Sequence, residues 1–103
     1  IKLALITGST RKITNGILKK FNLKKHFGCV LAMEDVNRRK PAPDMALKAC
    51  KLLKVHPKLA IIVGDTMNDV LAGRGAGCVT VGFMVKGNFR INQLKKIESL
   101  IYV

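Results

Sequence analysis

The stretch Ile61-Ile62-Val63-Gly64-Asp65-Thr66-Met67-Asn68-Asp69-Val70-Leu71-Ala72 constrains this chain more than any other part of it. It opens with an apolar run of strand length, and Gly64 permits a sharp turn. The segment after Asp65 reads as a helix, with Val70, Leu71 and Ala72 apolar and Gly73, Gly75 and Gly77 ending it. Asp65 then falls at the carboxyl end of a buried strand, and Asp69 lies one helical turn further on. Ligands of open α/β sheets gather at that edge. Two carboxylates held close there repel unless something positive lies between them, and hard oxygen donors suit Mg²⁺. The plainer alternative is a strand-turn-helix in which Asp65 or Thr66 caps the helix and Asp69 is solvated.

The rest of the chain repeats this grammar. Residues 2–6 are a short apolar run without alternation, as in a strand covered on both faces. Thr7-Gly8-Ser9-Thr10 follows, a small polar turn whose hydroxyls and free amides suit an anion, and whose Ser9 or Thr10 can equally cap a helix. That helix carries Ile13, Ile17, Leu18 and Phe21 on one side. A second strand spans residues 29–32, and residues 33–39 read as a polar loop. In Lys40-Pro41-Ala42-Pro43-Asp44 the first proline pushes Lys40 out of helical conformation. Pro43 suits a first helical turn, and Asp44 complements the positive end of a helix running to about Lys54, with Ala46, Ala49, Cys50 and Leu53 at core spacing. The central strand covers residues 60–63 and a last strand residues 79–83. A Gly- and Asn-bearing loop then leads to a closing helix striped by Leu94, Ile97 and Ile101. Strands alternating with helices predict one parallel sheet with right-handed crossovers, an α/β/α arrangement of three layers.

A chain of 103 residues supports one small domain. No apolar run approaches a membrane span. The three cysteines, Cys29, Cys50 and Cys78, are far apart in apolar surroundings, which suits buried free thiols in a reducing cytoplasm better than disulfides or zinc. Net charge is +13, which could mark a nucleic-acid binder. The basic residues are dispersed in doublets on expected helix surfaces, and aromatics for base stacking are few. A Lys-rich solvated surface that attracts small anionic substrates ranks above a nucleic-acid-binding domain. Residue 1 is Ile, and a strand-like run starts at once, as expected of a fragment.

If all strands run the same way, Thr7, the Lys40 loop and Asp65 emerge on one rim. A hydroxyl with free amides, a restrained cation and a carboxylate pair would suit a phosphoryl group and a metal. Each has a bland counterpart: Thr7 can simply end a strand, and Lys40 can be one more surface lysine. Their order after three separate strands favours the site. In this combination the sequence resembles the haloacid-dehalogenase-like hydrolase superfamily. Thr7 in Leu-Ile-Thr-Gly-Ser is similar to its second motif, Lys40 in Lys-Pro-Ala-Pro-Asp to its third, and Gly64-Asp65-Thr66-Met67-Asn68-Asp69 to its fourth. The Lys-Pro-x-Pro and Gly-Asp-x-x-x-Asp pairing, with Ala76-Gly77, is most similar to the phosphoglycolate phosphatase and β-phosphoglucomutase branch.

The resemblance implies a Rossmann-like core and a Mg²⁺-dependent phosphatase acting on a small phosphorylated metabolite. Thr7, Gly8 and Ser9 would bind phosphoryl oxygens together with Lys40. Lys40 and Asp65 would be catalytic, and Asp65 and Asp69 would hold Mg²⁺. The family's first motif, Asp-x-Asp-x-Thr, supplies the nucleophile that becomes an aspartyl-phosphate. It has no counterpart here, since the aspartates are Asp35, Asp44, Asp65 and Asp69. The family's cap segment is also absent. The chain therefore resembles a partial core, residues 1–103, expected to be inactive alone. In the family sheet, the missing first strand lies between those carrying Thr7 and Asp65. Direct pairing of these two strands, a complementary chain or self-association would close that gap. A non-catalytic remnant or interaction module is the alternative reading.

Overall fold

Every strand runs parallel to its neighbour, yet the strands divide into two sheets. The computed structural model describes residues 1–101. In it β1 (Ala4–Ile6) pairs with β2 (Cys29–Leu31), while β3 (Ile61–Gly64), β4 (Val79–Phe83) and β5 (Phe89–Ile91) pair in that order. Helices α1 (Arg11–Lys20), α2 (Asp44–Leu53), α3 (Met67–Ala76) and α4 (Ile97–Ile101) follow or connect them. The α/β, Rossmann-like class expected from the sequence is present. Direct pairing of β1 with β3, one of the expected ways to close the gap, does not occur.

The two sheets are held together by α2. Its Met45 and Ala49 pack with Ala4 and Ile6 of β1 and with Leu31 of β2. One position along, Ala46 and Cys50 pack with Ala60, Ile62, Ala76 and Cys78 beside β3 and α3. Small residues at 46 and 49 let the helix sit close to both sheets. α2 also packs against α3. Thr10 caps α1 by accepting from the Ile13 N–H, and the helix buries Thr14 and Leu18. Of its expected apolar side, Ile13, Ile17 and Phe21 stay about half exposed, at 55%, 50% and 61%. Lys20 Nζ lies 5.6 Å from the centroid of the Phe21 ring.

Two expectations about elements change. Gly73 and Gly75 lie within α3 rather than ending it, and only Gly77, with φ +86°, closes the helix. Gly73 is needed for contact: a Cβ there would overlap Ile62 and press on Thr80. The loop after β4 contains a fifth strand. Parallel neighbours ordinarily need a long crossover, but residues 84–88 suffice here, because the chain folds back directly over β4. Met84 takes φ +63°, Gly82 leaves room for the Val85 carbonyl, and Asn88 exchanges hydrogen bonds with Thr80 at 2.9–3.0 Å. The closing helix is shorter than its stripe suggests, since Leu94–Lys96 form a 3₁₀ turn before α4. The side chain of Ile101 lies outside the described residues.

Cys50 and Cys78 are buried, Cys29 is half-buried, and all three are free. Burial, reinforced by the neighbouring Cys50 sulfur, pushes the Cys78 thiol up to about 11. No helix among the described residues is long and apolar enough to cross a membrane.

A Cβ at Gly82 would overlap the Val85 carbonyl oxygen, whereas one at Gly16 in α1 would meet open space. Gly82→Ala is expected to cost about 1–3 kcal/mol through overpacking. Gly16→Ala is expected to stabilise by about 0.5–1 kcal/mol through helix propensity. Urea unfolding of the two variants beside the parent chain checks both signs.

Candidate active site

The rim of strand ends is built from three turns. The first follows β1. The half-buried Thr7 is tied to β2 by its N–H, which donates to the Leu31 carbonyl at 3.0 Å. Its Oγ1 accepts from the Ser9 N–H at 3.1 Å, so the hydroxyl proton remains available to an outside acceptor. Gly8 is exposed, with no atom within 4 Å of where a Cβ would stand. Ser9 is also exposed, and the cap of α1 is Thr10, whose Oγ1 accepts from the Ile13 N–H.

The second turn clasps the first, which the sequence did not reveal. Residues read as a loop form a 3₁₀ turn, Met33–Asp35. The Met33 N–H donates to the Ser9 carbonyl at 2.9 Å, and the Arg11 N–H donates to both Glu34 carboxylate oxygens at 2.8 and 3.1 Å. The first turn of α1 has no acidic residue of its own, so Glu34 supplies the anion that a helix N-terminus favours. The Arg11 guanidinium pairs with Asp35 and donates to the Val30 carbonyl at 3.1 Å. The Ala32 N–H holds the Asp35 carboxyl below its usual range, with the Arg11 charge assisting against the effect of burial. Adjacent acids after a strand are the only local signal for this clasp, and they do not say which helix they will reach.

The third turn joins residues far apart in sequence. Lys40 Nζ lies 2.5 Å from Asp69 Oδ1, with side chains only 18% and 12% exposed. The other oxygen, Oδ2, accepts from Thr66 Oγ1 at 2.9 Å and from the Thr66 N–H at 3.2 Å, while Thr66 Oγ1 accepts from the Asp69 N–H at 3.3 Å. This is a capping box at the start of α3, so Thr66 is the cap. Gly64 allows it, because any Cβ there would overlap the Asp69 side chain. Asp69 is buried rather than solvated. Burial pushes its carboxyl up, but the hydrogen bonds from Lys40 and Thr66 and the Lys40 charge outweigh that and hold it below the usual range.

Asp65, expected beside Asp69, is exposed and has no side-chain hydrogen bond or ion pair among the described residues. The rim thus offers one uncommitted carboxylate, a fixed ammonium, and a turn with a free hydroxyl proton and an open amide. Lys40 and Asp69 are in contact, and Asp65 sits in the same turn. Thr7 and Gly8 follow β1, on the other side of the gap between the sheets. No group of three or more His, Cys, Asp or Glu side chains gathers among the described residues. A Mg²⁺ ion keeps several waters and takes one or two carboxylates plus phosphate oxygens. Asp65 fits that pattern; Asp69 has both oxygens engaged.

Comparison with known proteins gives one consistent answer. The sequence profile of the haloacid dehalogenase-like hydrolases matches residues 1–83. The chain is 38% identical over 88 residues to pyrophosphatase PpaX of Anoxybacillus flavithermus, covering 84% of this chain and 41% of that protein. It is 34% identical to the phosphoglycolate phosphatase of Psychrobacter arcticus, covering 95% of this chain and 44% of that one. Among solved structures, a HAD phosphatase from Thermococcus onnurineus superimposes with a TM-score of 0.87 at 28% identity, over 98% of this chain and 50% of its own. A subfamily IA hydrolase of the HAD superfamily from Geobacter sulfurreducens gives 0.91 at 25% identity, over 98% and 49%. The chain spans less than half the length of the curated relatives it matches.

The Lys40–Asp69 pair yields a pH-dependent prediction. A carboxyl held below its unfolded value of about 3.9 stabilises the fold above that value. The contribution is lost as pH falls through the lower, folded-state value. Asp69→Asn is therefore expected to cost about 1.5–3 kcal/mol at neutral pH. Urea titrations on both chains should show this difference narrowing once pH drops below the ordinary carboxylate range.

Proposed function

The chain belongs to the haloacid dehalogenase-like hydrolase family, and from that membership we propose that its rim is the phosphate and Mg²⁺ site of a phosphomonoester hydrolase. The observation that carries this reading is the buried Lys40–Asp69 pair next to the uncommitted Asp65. Asp69 and Thr66 fix the ammonium in one place, so Lys40 meets the negative charge of a phosphoryl group without reorganising. Thr7 donates its hydroxyl proton, and Gly8 its backbone N–H, to phosphoryl oxygens. The exposed Ser9 hydroxyl is a further contact for phosphoryl oxygens, and its amide holds Thr7 in position. Asp65 is the protein ligand of Mg²⁺, and Asp69 reaches the ion through water. When bound, Mg²⁺ would offset the charge of the phosphoryl oxygens and orient them.

The substrate class is a small phosphorylated metabolite, in line with the phosphatase and pyrophosphatase relatives. The three free thiols favour a reducing compartment such as the cytoplasm. No Asp-x-Asp pair is present among these residues to attack phosphorus. This chain alone therefore binds phosphate and metal but does not turn over ester.

Calorimetric titration of inorganic phosphate in the presence of Mg²⁺ tests the reading. Thr7→Val and Asp65→Asn are each expected to weaken binding about tenfold, equivalent to ~1.4 kcal/mol. Lys20→Met, on the exposed side of α1, is expected to leave binding unchanged. Binding that is indifferent to Mg²⁺ and to Asp65→Asn would refute the site. Separately, metal-dependent hydrolysis of p-nitrophenyl phosphate that Asp65→Asn abolishes would refute the claim that the chain is inactive alone.

A further inference from the structure

Charge is unevenly placed in this fold. Five of the six acids, Glu34, Asp35, Asp44, Asp65 and Asp69, lie in the turns after β2 and β3 or in the first turns of α2 and α3, at the rim end. Residues 1–33 and 45–64 hold no Asp or Glu. At the opposite end, the β1–β2 half of the molecule draws on those acid-free stretches. Lys2 precedes β1, Lys19 and Lys20 close α1, Lys25 lies in a 3₁₀ turn before β2, and Lys51 and Lys54 end α2. Basic residues in a last helical turn suit the helix dipole. Lys2 and Lys25 belong to no α-helix, so that explanation does not reach them.

A cavity of about 460 Å³ opens there, with Lys2, Lys25, His26, Phe27, Leu52 and Lys54 in its walls. Close backbone contact sets those walls. The Gly28 N–H donates to the Leu3 carbonyl at 2.7 Å, and a Cβ on Gly28 would overlap the Leu53 side chain. Lys2 Nζ donates to the Leu53 carbonyl at 2.7 Å, which fixes that ammonium between β1 and α2. An ammonium has three donors, so two remain. Lys54 is held at φ +58°, its N–H donating to the Lys51 carbonyl at 3.2 Å. Lys25, His26 and Lys54 are exposed and have no acidic partner among the described residues. A concavity lined by one sign of charge concentrates the opposite sign within it.

We propose that this cavity, at the end of the fold opposite the rim, binds a ligand carrying several linked phosphates, as in a free oligophosphate or a nucleoside triphosphate. A single phosphate group brings about two negative charges, too few for the three lysines in the walls. A triphosphate chain matches them. The volume falls within the range of small-ligand pockets, about 300–1,000 Å³, which suits such a chain and excludes a folded partner. His26 adds a ring nitrogen to the donors, and the half-buried Phe27 adds an aromatic surface beside the cations. The cavity shares no residue with the rim, so the inference holds whether or not the rim binds phosphate and Mg²⁺.

Calorimetric titration of the full chain with tripolyphosphate, in EDTA to keep metal from the rim, tests this. A saturable one-to-one complex is expected, with amide shifts centred on Lys25, Phe27 and Lys54 while Gly8 and Asp65 stay unmoved. Lys25→Met and Lys54→Met, both at exposed positions, should each weaken binding about tenfold. Lys86→Met, which removes the same charge from the loop after β4, should leave it unchanged. ATP in place of tripolyphosphate separates the two sources: tighter binding assigns the cavity to a nucleotide, equal or weaker binding to the free chain. The proposal is overturned by no complex up to about 1 mM tripolyphosphate, by equal losses in all three variants, or by shifts at the rim turns instead. A single-stranded oligonucleotide that binds more tightly than tripolyphosphate, and shifts Lys19 and Lys20 as well, would assign this end to nucleic acid and would also overturn it.

Discussion

Everything in this structure depends on α2 having two apolar flanks rather than one. Met45 and Ala49 belong to the β1–β2 side, and Ala46 and Cys50 to the β3–α3 side. Because the sheets share no backbone pairing, side-chain contact with this helix sets their relative position. Burial of apolar surface is non-directional, so the precision has to come from the close fit of small residues at 46 and 49. The same helix begins just beyond Lys40, and Arg38 pairs with Asp44 in its first turn at 2.8 Å. The element that joins the sheets therefore also places the cation.

Around that frame the charged groups fall into two sorts. Asp35, Glu34 and Asp69 are consumed by structure: each caps a turn or a helix and meets a cation or a backbone N–H. Asp65 is left over. In a chain with six acids against 19 bases, Asp65 is an exposed carboxylate at a strand end with no basic partner among the described residues. A neighbouring ammonium would make it a weaker metal ligand. Pairing Lys40 with Asp69 leaves Asp65 uncommitted, so the ion pair separates the work of the cation from that of the ligand.

Much of this was legible in the residues. Parallel strands are covered on both faces, so residues 2–6, 29–32 and 60–63 appear as unbroken apolar runs, and Lys40-Pro41 and Gly64-Asp65 mark the turns that follow two of them. The misses have physical causes. β5 has Arg90 at its centre and an exposed Phe89, so no apolar run announces it; its existence depends on the close approach that Gly82 allows. Gly73 reads as a helix breaker by propensity, but contact with Ile62 demands a glycine inside α3. The Lys40 partner of Asp69 lies 29 residues earlier in the chain, so no local spacing announces that pair. The clasp of Glu34 on α1 is likewise tertiary and has no sequence spacing of its own.

The central claim is that the Thr7 turn and the Asp65 turn, on separate sheets, face one metal-bound phosphate. Mn²⁺ accepts the same oxygen donors as Mg²⁺, and its unpaired electrons broaden nearby amide resonances. With phosphate present, the account predicts that Mn²⁺ broadens Gly8 and Ser9 together with Asp65 and Thr66, while Gly16 and Lys54 stay sharp. Broadening confined to the Asp65 turn, with the Thr7 turn untouched, would contradict it.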